Sequence, residues 1–244
     1  MRLLLIRHGQ TPSNVLGLLD TAPPGPGLTD LGVAQAAALP VMLADERIDL
    51  IAASTQPRAQ LTAAPLAADR GLDVLIRDGL CEIPAGDLEM RGDEQAVRTY
   101  LTTVREWMIG NLDVAMPGGS TGTQVLTRFD AVVDEVAGTL ADRVGGRVQH
   151  EATAVLFAHG AMLRTWATVR ATDGELRQEL LQTLQPLHNT GMIVVNRTAT
   201  GWLVESWAGL ALGGPRLDDV AADGPAGGDP TGAGFPAGFG PRTR

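Results

Sequence analysis

The sequence predicts an α/β fold with a largely parallel central sheet. Short apolar runs typical of buried strands alternate along the chain with longer segments whose apolar spacing is typical of helices. That alternation favours strands that are joined by helical crossovers and therefore run parallel to one another. Ligands of such sheets bind beyond the carboxyl ends of the strands. We therefore expect chemistry wherever polar residues directly follow an apolar run.

The predicted elements follow one another in a regular order. Strands are predicted at residues 2–6, 50–53, 74–76 and 154–157, with a closing pair at 192–195 and 203–207. Helices are predicted at residues 30–43, 58–68, 95–109 and 124–140. Thr29 is placed to cap the first of these helices. Pro65 argues against a continuous interior in the second.

The composition changes sharply near the carboxyl end of the chain. From Gly213 onward Gly, Pro, Ala and Asp dominate, and no apolar periodicity remains. Such a segment buries too little apolar surface to offset the entropy lost on ordering it. The sequence therefore predicts one catalytic domain over residues 1–212 and a Gly/Pro-rich flexible tail over residues 213–244.

Composition and charge narrow the classes of partner. The net charge is −9 and no basic stripe interrupts it, so nucleic acid is not expected as a partner. No apolar run reaches the roughly 18 residues that span a bilayer, and the run at residues 3–6 is too short for a signal peptide. We expect a cytoplasmic protein without a membrane partner; the oligomeric state is left open.

Metal and cofactor chemistry is not expected either. Cys81 is the only cysteine, which excludes an internal disulfide and a cysteine-based zinc cluster. The four histidines are spread along the chain without a carboxylate–histidine ligand spacing. Lysine is absent, so arginine supplies the side-chain cations, and its planar fork suits phosphate.

Polar residues follow three of the predicted strands. Arg7 and His8 follow the first strand, the segment from Ser54 to Arg58 follows the second, and His159 follows the fourth. Because parallel strands end at one edge of a sheet, we expect these side chains to converge on a single site.

Five segments together resemble a known family. Arg7-His8-Gly9-Gln10-Thr11 resembles the Arg-His-Gly signature of the histidine phosphatase superfamily, the phosphoglycerate mutase-like proteins. Residues 54–63, 80–89, 157–160 and 188–191 resemble later motifs of that family, in the family's order. The resemblance runs from residue 2 to about residue 207. It implies a three-layer α/β/α fold and a small phosphomonoester as substrate.

The nucleophile and the proton donor fall on two of these motifs. Neutral imidazole is nucleophilic near pH 7, so His8 can accept the phosphoryl group covalently. Glu82 matches the family's acid position; it can protonate the leaving oxygen and then deprotonate the attacking water. Burial would raise its pKa as this role requires. Glu89 is the nearest competing carboxylate with a family counterpart.

The remaining site residues are expected to hold the phosphoryl group. Arg7 and Arg58 can clamp its equatorial oxygens with their guanidinium forks. His159, if protonated, would add a third cation and a donor. Asn14 and the backbone at Gly160 are also predicted to bind phosphate.

The sequence favours a phosphatase over the alternatives. Phosphoglycerate mutases of the family carry a Tyr-Gly-rich stretch after the acid motif, which residues 82–92 lack, and Leu88 replaces a tryptophan frequent in the family. Phosphoglycerate mutase-type transfer and a non-catalytic phosphate-binding member of the fold stay open as alternatives. The leaving-group pocket is predicted to lie within residues 83–123.

Overall fold

A computed structural model of the chain describes residues 1–144, 152–183 and 186–225, and its centre is a six-stranded sheet. The strands are β1 (Arg2–Arg7), β2 (Leu50–Ser54), β3 (Val74–Arg77), β4 (Thr153–Ala158), β5 (Met192–Arg197) and β6 (Trp202–Ala208). Their spatial order is β3-β2-β4-β1-β5-β6. Strands β1 to β4 pair in parallel, whereas β5 is antiparallel to both of its neighbours. The predicted largely parallel sheet, including its closing pair, is confirmed.

Seven α-helices accompany the sheet within the described residues. They are α1 (Pro12–Val15), α2 (Asp30–Met42), α3 (Pro57–Arg70), α4 (Glu94–Met108), α5 (Gly122–Val144), α6 (Gly160–Arg170) and α7 (Gly174–Thr183). Four of them match predicted helices; α1, α6 and α7 were not predicted. None of the helices in the described part of the chain is long and apolar enough to cross a bilayer.

Alternation along β1 divides the core into two layers, one on each face of the sheet. Leu3 and Leu5 belong to a large apolar cluster with residues of α4, α5 and α6. Leu4 and Ile6 belong to a smaller cluster with residues of α2 and α3. This period-two pattern is what a strand buried on both faces requires. It confirms the three-layer α/β/α arrangement.

Helix α3 carries a proline in its interior, against the expectation from the sequence. Pro65 lies within α3, which continues to Arg70 and ends at Gly71 in a left-handed conformation with φ 61°. An interior proline removes one backbone hydrogen bond and costs about 3 kcal/mol. Ala63 and Leu66 on the inner face of α3 are fully buried, and this packing offsets the loss.

The first part of the predicted tail packs against the rest of the chain. Residues 213–225, here called the C-terminal arm, lie against residues of the predicted domain, and Asp223 within them is buried. Gln35 of α2 donates to the Leu217 carbonyl oxygen at 2.7 Å. Polar contacts hold the arm, so a search for apolar periodicity misses it. The rest of the predicted tail, residues 226–244, lies outside the described residues.

Candidate active site

Two histidines meet at the carboxyl ends of adjacent parallel strands. Arg7 pairs with Ala158 in the register of β1 and β4, so His8 and His159, the next residue on each chain segment, become neighbours. Their ring centroids are 5.1 Å apart, and both rings are buried. Arg58 enters from the first turn of α3, beyond the end of β2. The structure thus brings the three predicted strand-end segments together.

The hydrogen bond of His8 fixes which ring nitrogen is free. His8 Nδ1 lies 2.8 Å from the Gly9 carbonyl oxygen. A carbonyl oxygen only accepts, so Nδ1 carries the proton and Nε2 keeps its lone pair. Burial, and then the charges of Arg58 and Arg7, hold the pKa of His8 well below its usual 6.5. His8 is therefore neutral at pH 7, with Nε2 as the nucleophilic atom.

His159 takes the opposite tautomer. Arg58 donates its Nε–H to His159 Nδ1 at 3.3 Å, so Nδ1 is the acceptor and Nε2 carries the proton. Burial, followed by the charge of Arg58, holds the pKa of His159 well below 6.5. His159 therefore presents a neutral N–H donor, without the protonation that a third cation would require. That buried Nε2 has no hydrogen-bond partner among the described residues.

Arg58 is held by the loop that precedes α2. Its Nη2 donates to the Asp20 carbonyl oxygen at 3.0 Å, and Nη1 lies 3.9 Å from Asp20 Oδ1. Gly25 closes over the guanidinium with φ +65°, and a Cβ atom at this position would lie 2.3 Å from Arg58 Nη1. Only glycine combines this backbone conformation with so close an approach.

Glu82 is buried at the amino end of α6. Its Oε1 accepts backbone N–H groups of Ile83 at 2.8 Å and Met162 at 2.9 Å. Its Oε2 accepts the N–H of Ala161 at 3.1 Å. Two donors fill Oε1, whereas Oε2 keeps one lone pair for a proton. Burial raises the pKa of Glu82 above its usual 4.5, although the three N–H groups oppose the shift.

The competing carboxylate Glu89 has a structural role in holding a loop. Its Oε1 accepts the backbone N–H groups of Thr21 at 2.8 Å and Ala22 at 3.0 Å, and its Oε2 accepts the Thr21 hydroxyl. Glu89 therefore anchors the loop that leads from α1 to α2. Glu82 alone of these two carboxylates lines the cavity described below.

Arg7 is completely buried and already has several partners. Its Nη1 donates to the Leu187 carbonyl oxygen and to Asp223 Oδ2, both at 2.8 Å. Its Nη2 donates to the Asp223 carbonyl oxygen at 2.6 Å. Arg7 Nε is buried without a hydrogen-bond partner among the described residues. The C-terminal arm thus contacts Arg7 of the candidate active site directly.

The other two predicted phosphate ligands, Asn14 and Gly160, have different surroundings. Asn14 Oδ1 accepts the Thr11 N–H at 3.0 Å and an N–H of Asn189 Nδ2 at 3.2 Å. Asn14 lines the cavity described below, and a phosphate contact of its side chain stays a prediction. Gly160 begins α6, and the next two N–H groups of that helix go to Glu82. A phosphate contact of the Gly160 backbone stays a prediction.

A loop that the sequence marks only by motif, residues 188–191, supports Arg7 at the end of β1 and His8 directly after it. Asn189 Nδ2 donates to the His8 carbonyl oxygen at 3.0 Å, and the Thr190 N–H donates to the Arg7 carbonyl oxygen at 3.1 Å. Thr190 has φ 58°, which is strained for a β-branched residue. The sequence does not predict these hydrogen bonds, because neither residue type is specific to such a contact.

A small cavity lies among Arg7, His8, Asn14, Arg58 and Glu82, with a volume of about 20 Å³. His159 and Gly160 do not line it. The lining residues come from the end of β1, the segment between β1 and α2, α3, the segment between β3 and α4, α4 and the arm. They are Arg7, His8, Thr11, Ser13, Asn14, Leu18, Leu19, Asp20, Thr21, Arg58, Glu82, Tyr100 and Pro225.

The leaving-group pocket predicted within residues 83–123 stays a prediction. Of that stretch, all of which the structure describes, Tyr100 alone lines the cavity. Trp107 is a core residue whose Nε1 donates to the Val114 carbonyl oxygen at 2.8 Å. Arg91 and Arg98 form surface ion pairs with neighbouring carboxylates. Amphipathic spacing does not tell a core-facing tryptophan from a pocket residue.

The chain matches a known protein family over most of its length. Residues 3–209 match the histidine phosphatase superfamily (branch 1). The chain belongs to this superfamily, as its motifs predict. Among the described residues, no three His, Cys, Asp or Glu side chains are grouped so that they could hold a metal ion.

Curated relatives include proteins named as phosphatases. The chain is 35% identical to the PE-PGRS family protein PE_PGRS11 of Mycobacterium tuberculosis, over 87% of this chain and 37% of that protein. It is 36% identical to an adenosylcobalamin/alpha-ribazole phosphatase of Escherichia coli, over 52% and 62% respectively. It is 30% identical to a glucosyl-3-phosphoglycerate phosphatase of M. tuberculosis, over 66% and 71%. The chain thus spans less than two thirds of the first two of these relatives.

Solved structures share the fold. A mycobacterial glucosyl-3-phosphoglycerate phosphatase in complex with inorganic phosphate aligns with a TM-score of 0.67 at 23% identity, over 87% of this chain and 99% of that one. The alpha-ribazole phosphatase of Shigella flexneri aligns with a TM-score of 0.63 at 26% identity, over 88% of this chain and 100% of that one.

Proposed function

We propose that this protein is a phosphomonoester hydrolase that transfers a phosphoryl group to His8 and then to water. One observation carries the proposal. An unprotonated His8 Nε2 lies in a buried site whose cavity Arg7 and Arg58 also line. The neighbouring His159 ring offers an N–H that has no partner among the described residues. A nucleophile with its lone pair free, surrounded by donors for an anionic group, is suited to covalent phosphoryl transfer.

The first half-reaction makes the phosphohistidine. His8 Nε2 forms a bond to phosphorus as the bond from phosphorus to the ester oxygen breaks. Arg7, Arg58 and the His159 N–H stabilise charge on the equatorial oxygens. Glu82, protonated at Oε2, gives its proton to the departing alkoxide. The raised pKa of Glu82 supports this role because it keeps a larger share of the carboxyl protonated.

The second half-reaction returns the enzyme to its starting state. Water attacks phosphorus while the bond from phosphorus to His8 Nε2 breaks. Glu82, now ionised, takes a proton from that water through the same Oε2 atom. Inorganic phosphate leaves, and both groups recover their original protonation.

The clamp provides a reason to propose a metal-independent reaction. Two guanidinium groups and a histidine N–H stabilise the charge that Mg²⁺ neutralises in many phosphoryl-transfer enzymes. Turnover should therefore survive prolonged dialysis against a strong chelator. A complete loss that added magnesium restores would contradict this part of the proposal.

The proposed substrate is a small phosphorylated metabolite, met in the cytoplasm. Two relatives are named for phosphatase activity on small molecules, and the net charge of −9 disfavours nucleic acid. Purified protein should release inorganic phosphate from members of a panel of phosphorylated metabolites, whereas His8→Asn should not. Isomerised product without phosphate release would favour a mutase. Phosphate binding without any turnover would favour a non-catalytic member of the fold.

A further inference from the structure

The C-terminal arm is joined to the active site by buried polar contacts. Asp223 Oδ2 and its carbonyl oxygen accept two hydrogen bonds from Arg7, at 2.8 and 2.6 Å. Asp223 Oδ1 accepts the Asn189 N–H at 2.8 Å, and Asp218 Oδ1 lies 2.8 Å from His188 Nδ1. Pro225, two residues beyond Asp223, lines the active-site cavity.

A count of donors shows which part of Arg7 the arm leaves free. A guanidinium has five N–H groups, two on each terminal nitrogen and one on Nε. Both hydrogens of Nη1 are used, by Leu187 and by Asp223, and one hydrogen of Nη2 is used by Asp223. The Nε–H and the second Nη2–H remain. These two lie along one edge of the guanidinium and form a parallel fork, the arrangement that binds phosphate through two bonds.

We propose that Asp223 is a positioning residue that holds Arg7 so that its free Nε–Nη2 edge faces the phosphoryl group, which makes the C-terminal arm part of the active site. The inference rests on the proposed function for the role of Arg7. Asp223 touches no reacting atom; it acts through Arg7 and through Asn189, whose side chain donates to the His8 carbonyl oxygen.

A rival interpretation gives the arm the opposite effect. The Asp223 carboxylate would imitate phosphate on Arg7, and Pro225 would narrow the cavity, so that the arm inhibits the enzyme. The two hydrogen bonds that Asp223 accepts from Arg7, however, come from Nη1 and Nη2. The buried Arg7 Nε has no hydrogen-bond partner in the described part of the chain. A competitor for the phosphate position would be expected to use that edge.

The test uses point variants of the full chain and two measurements. The first is the dissociation constant of inorganic phosphate by titration calorimetry, which does not need turnover. The second is kcat and KM with p-nitrophenyl phosphate. Asp223→Ala should weaken phosphate binding and lower kcat/KM by about 10- to 100-fold, since small displacements of a clamping group have effects of that size. Asp223→Asn, which keeps the shape and an acceptor, should show a smaller loss.

A matched control removes an acidic residue from the same arm without disturbing Arg7. Asp219 is exposed and accepts one long hydrogen bond from Gln10 Nε2, at 3.3 Å. Asp219→Ala should leave phosphate affinity and kcat/KM within about twofold of wild type. Thermal melts of all variants show whether any loss merely reflects unfolding, and Asp223→Asn keeps the test valid if Asp223→Ala does not fold.

A double-variant comparison distinguishes positioning from general support of the fold. If Asp223 acts through Arg7, Asp223→Ala should add little to the loss of phosphate affinity already caused by Arg7→Ala. Independent, additive losses would overturn the proposal. So would unchanged phosphate affinity in Asp223→Ala, and so would tighter binding with faster turnover, which would establish inhibition by the arm. If wild type binds phosphate but turns over no ester, the proposed function fails, and the phosphate measurements still decide the role of Asp223.

Discussion

At the scale of single residues, the direction of each hydrogen bond determines what the site can do. A carbonyl oxygen on His8 Nδ1 frees Nε2 for attack. An arginine N–H on His159 Nδ1 makes the other nitrogen of that ring a donor. The sequence predicts both histidines, but it cannot predict their tautomers, because those depend on contacts between distant segments.

Glu82 provides a test of acid catalysis that depends on the leaving group. Glu82→Gln should lower kcat/KM by about two to four decades for an alkyl phosphate, whose alkoxide needs a proton. The loss should be much smaller for p-nitrophenyl phosphate, measured as the rate of phosphoenzyme formation, since nitrophenolate departs without one. Glu89→Gln is the control; it loosens a loop anchor and should affect both substrates alike. Equal losses for both substrates in Glu82→Gln would indicate a structural role.

The buried neutral histidines should make stability depend on pH. The pKa of His159 is lowered in the folded state, so below about pH 6.5 the unfolded chain binds a proton that the folded chain does not. Stability is therefore lost as pH falls, by at most about 1.4 kcal/mol per pH unit for each such group. Between pH 7.5 and 5.5, urea unfolding should show a smaller loss in His159→Gln than in wild type.

Above pH 7 the same comparison serves as its own control. His159 is neutral there in both the folded and the unfolded chain. The free energy of unfolding should therefore change with pH in the same way in wild type and in His159→Gln between pH 7.5 and 8.5. Equal losses on the acid side would show that His159 is not held neutral by the fold.

At the scale of elements, the close approach of α2 to the loop after β1 holds that loop in place. A Cβ atom on Gly32 would lie 2.2 Å from the Gln10 carbonyl oxygen, and one on Gly9 would lie 2.8 Å from the Gly32 carbonyl oxygen. The two backbones therefore pack without side chains between them. Strand periodicity and the cap at Thr29 predict where these elements lie, but no pattern predicts how closely they pack.

This contact can be tested with a methyl group. Gly32→Ala should destabilise the protein by about 1–3 kcal/mol, because it overpacks a contact made of backbone. It should also lower kcat/KM, since the displaced loop carries His8. The control is Gly138→Ala on the exposed side of α5, where a Cβ atom meets nothing within 4 Å; it should stabilise by about 0.5–1 kcal/mol. Wild-type stability and activity in Gly32→Ala would contradict the described packing.

At the scale of the whole molecule, the sequence predicts the elements in which apolar residues recur at a regular spacing. Buried strands and amphipathic helices show that spacing in the sequence itself, so the sheet and four of the helices are predicted to within a few residues. The C-terminal arm has no period. Hydrogen bonds and an ion pair to Arg7 hold it, and its place in the site appears only when residues far apart in the chain are brought together.

The central claim is that the phosphoryl group passes through His8. Rapid quenching of wild type with a ³²P-labelled phosphomonoester, followed by peptide mapping, tests it most directly. The label should be found on His8, attached to Nε2, stable in base and labile in acid, and it should be absent from His8→Asn. Label on any other residue, or turnover without a labelled enzyme, would contradict the account.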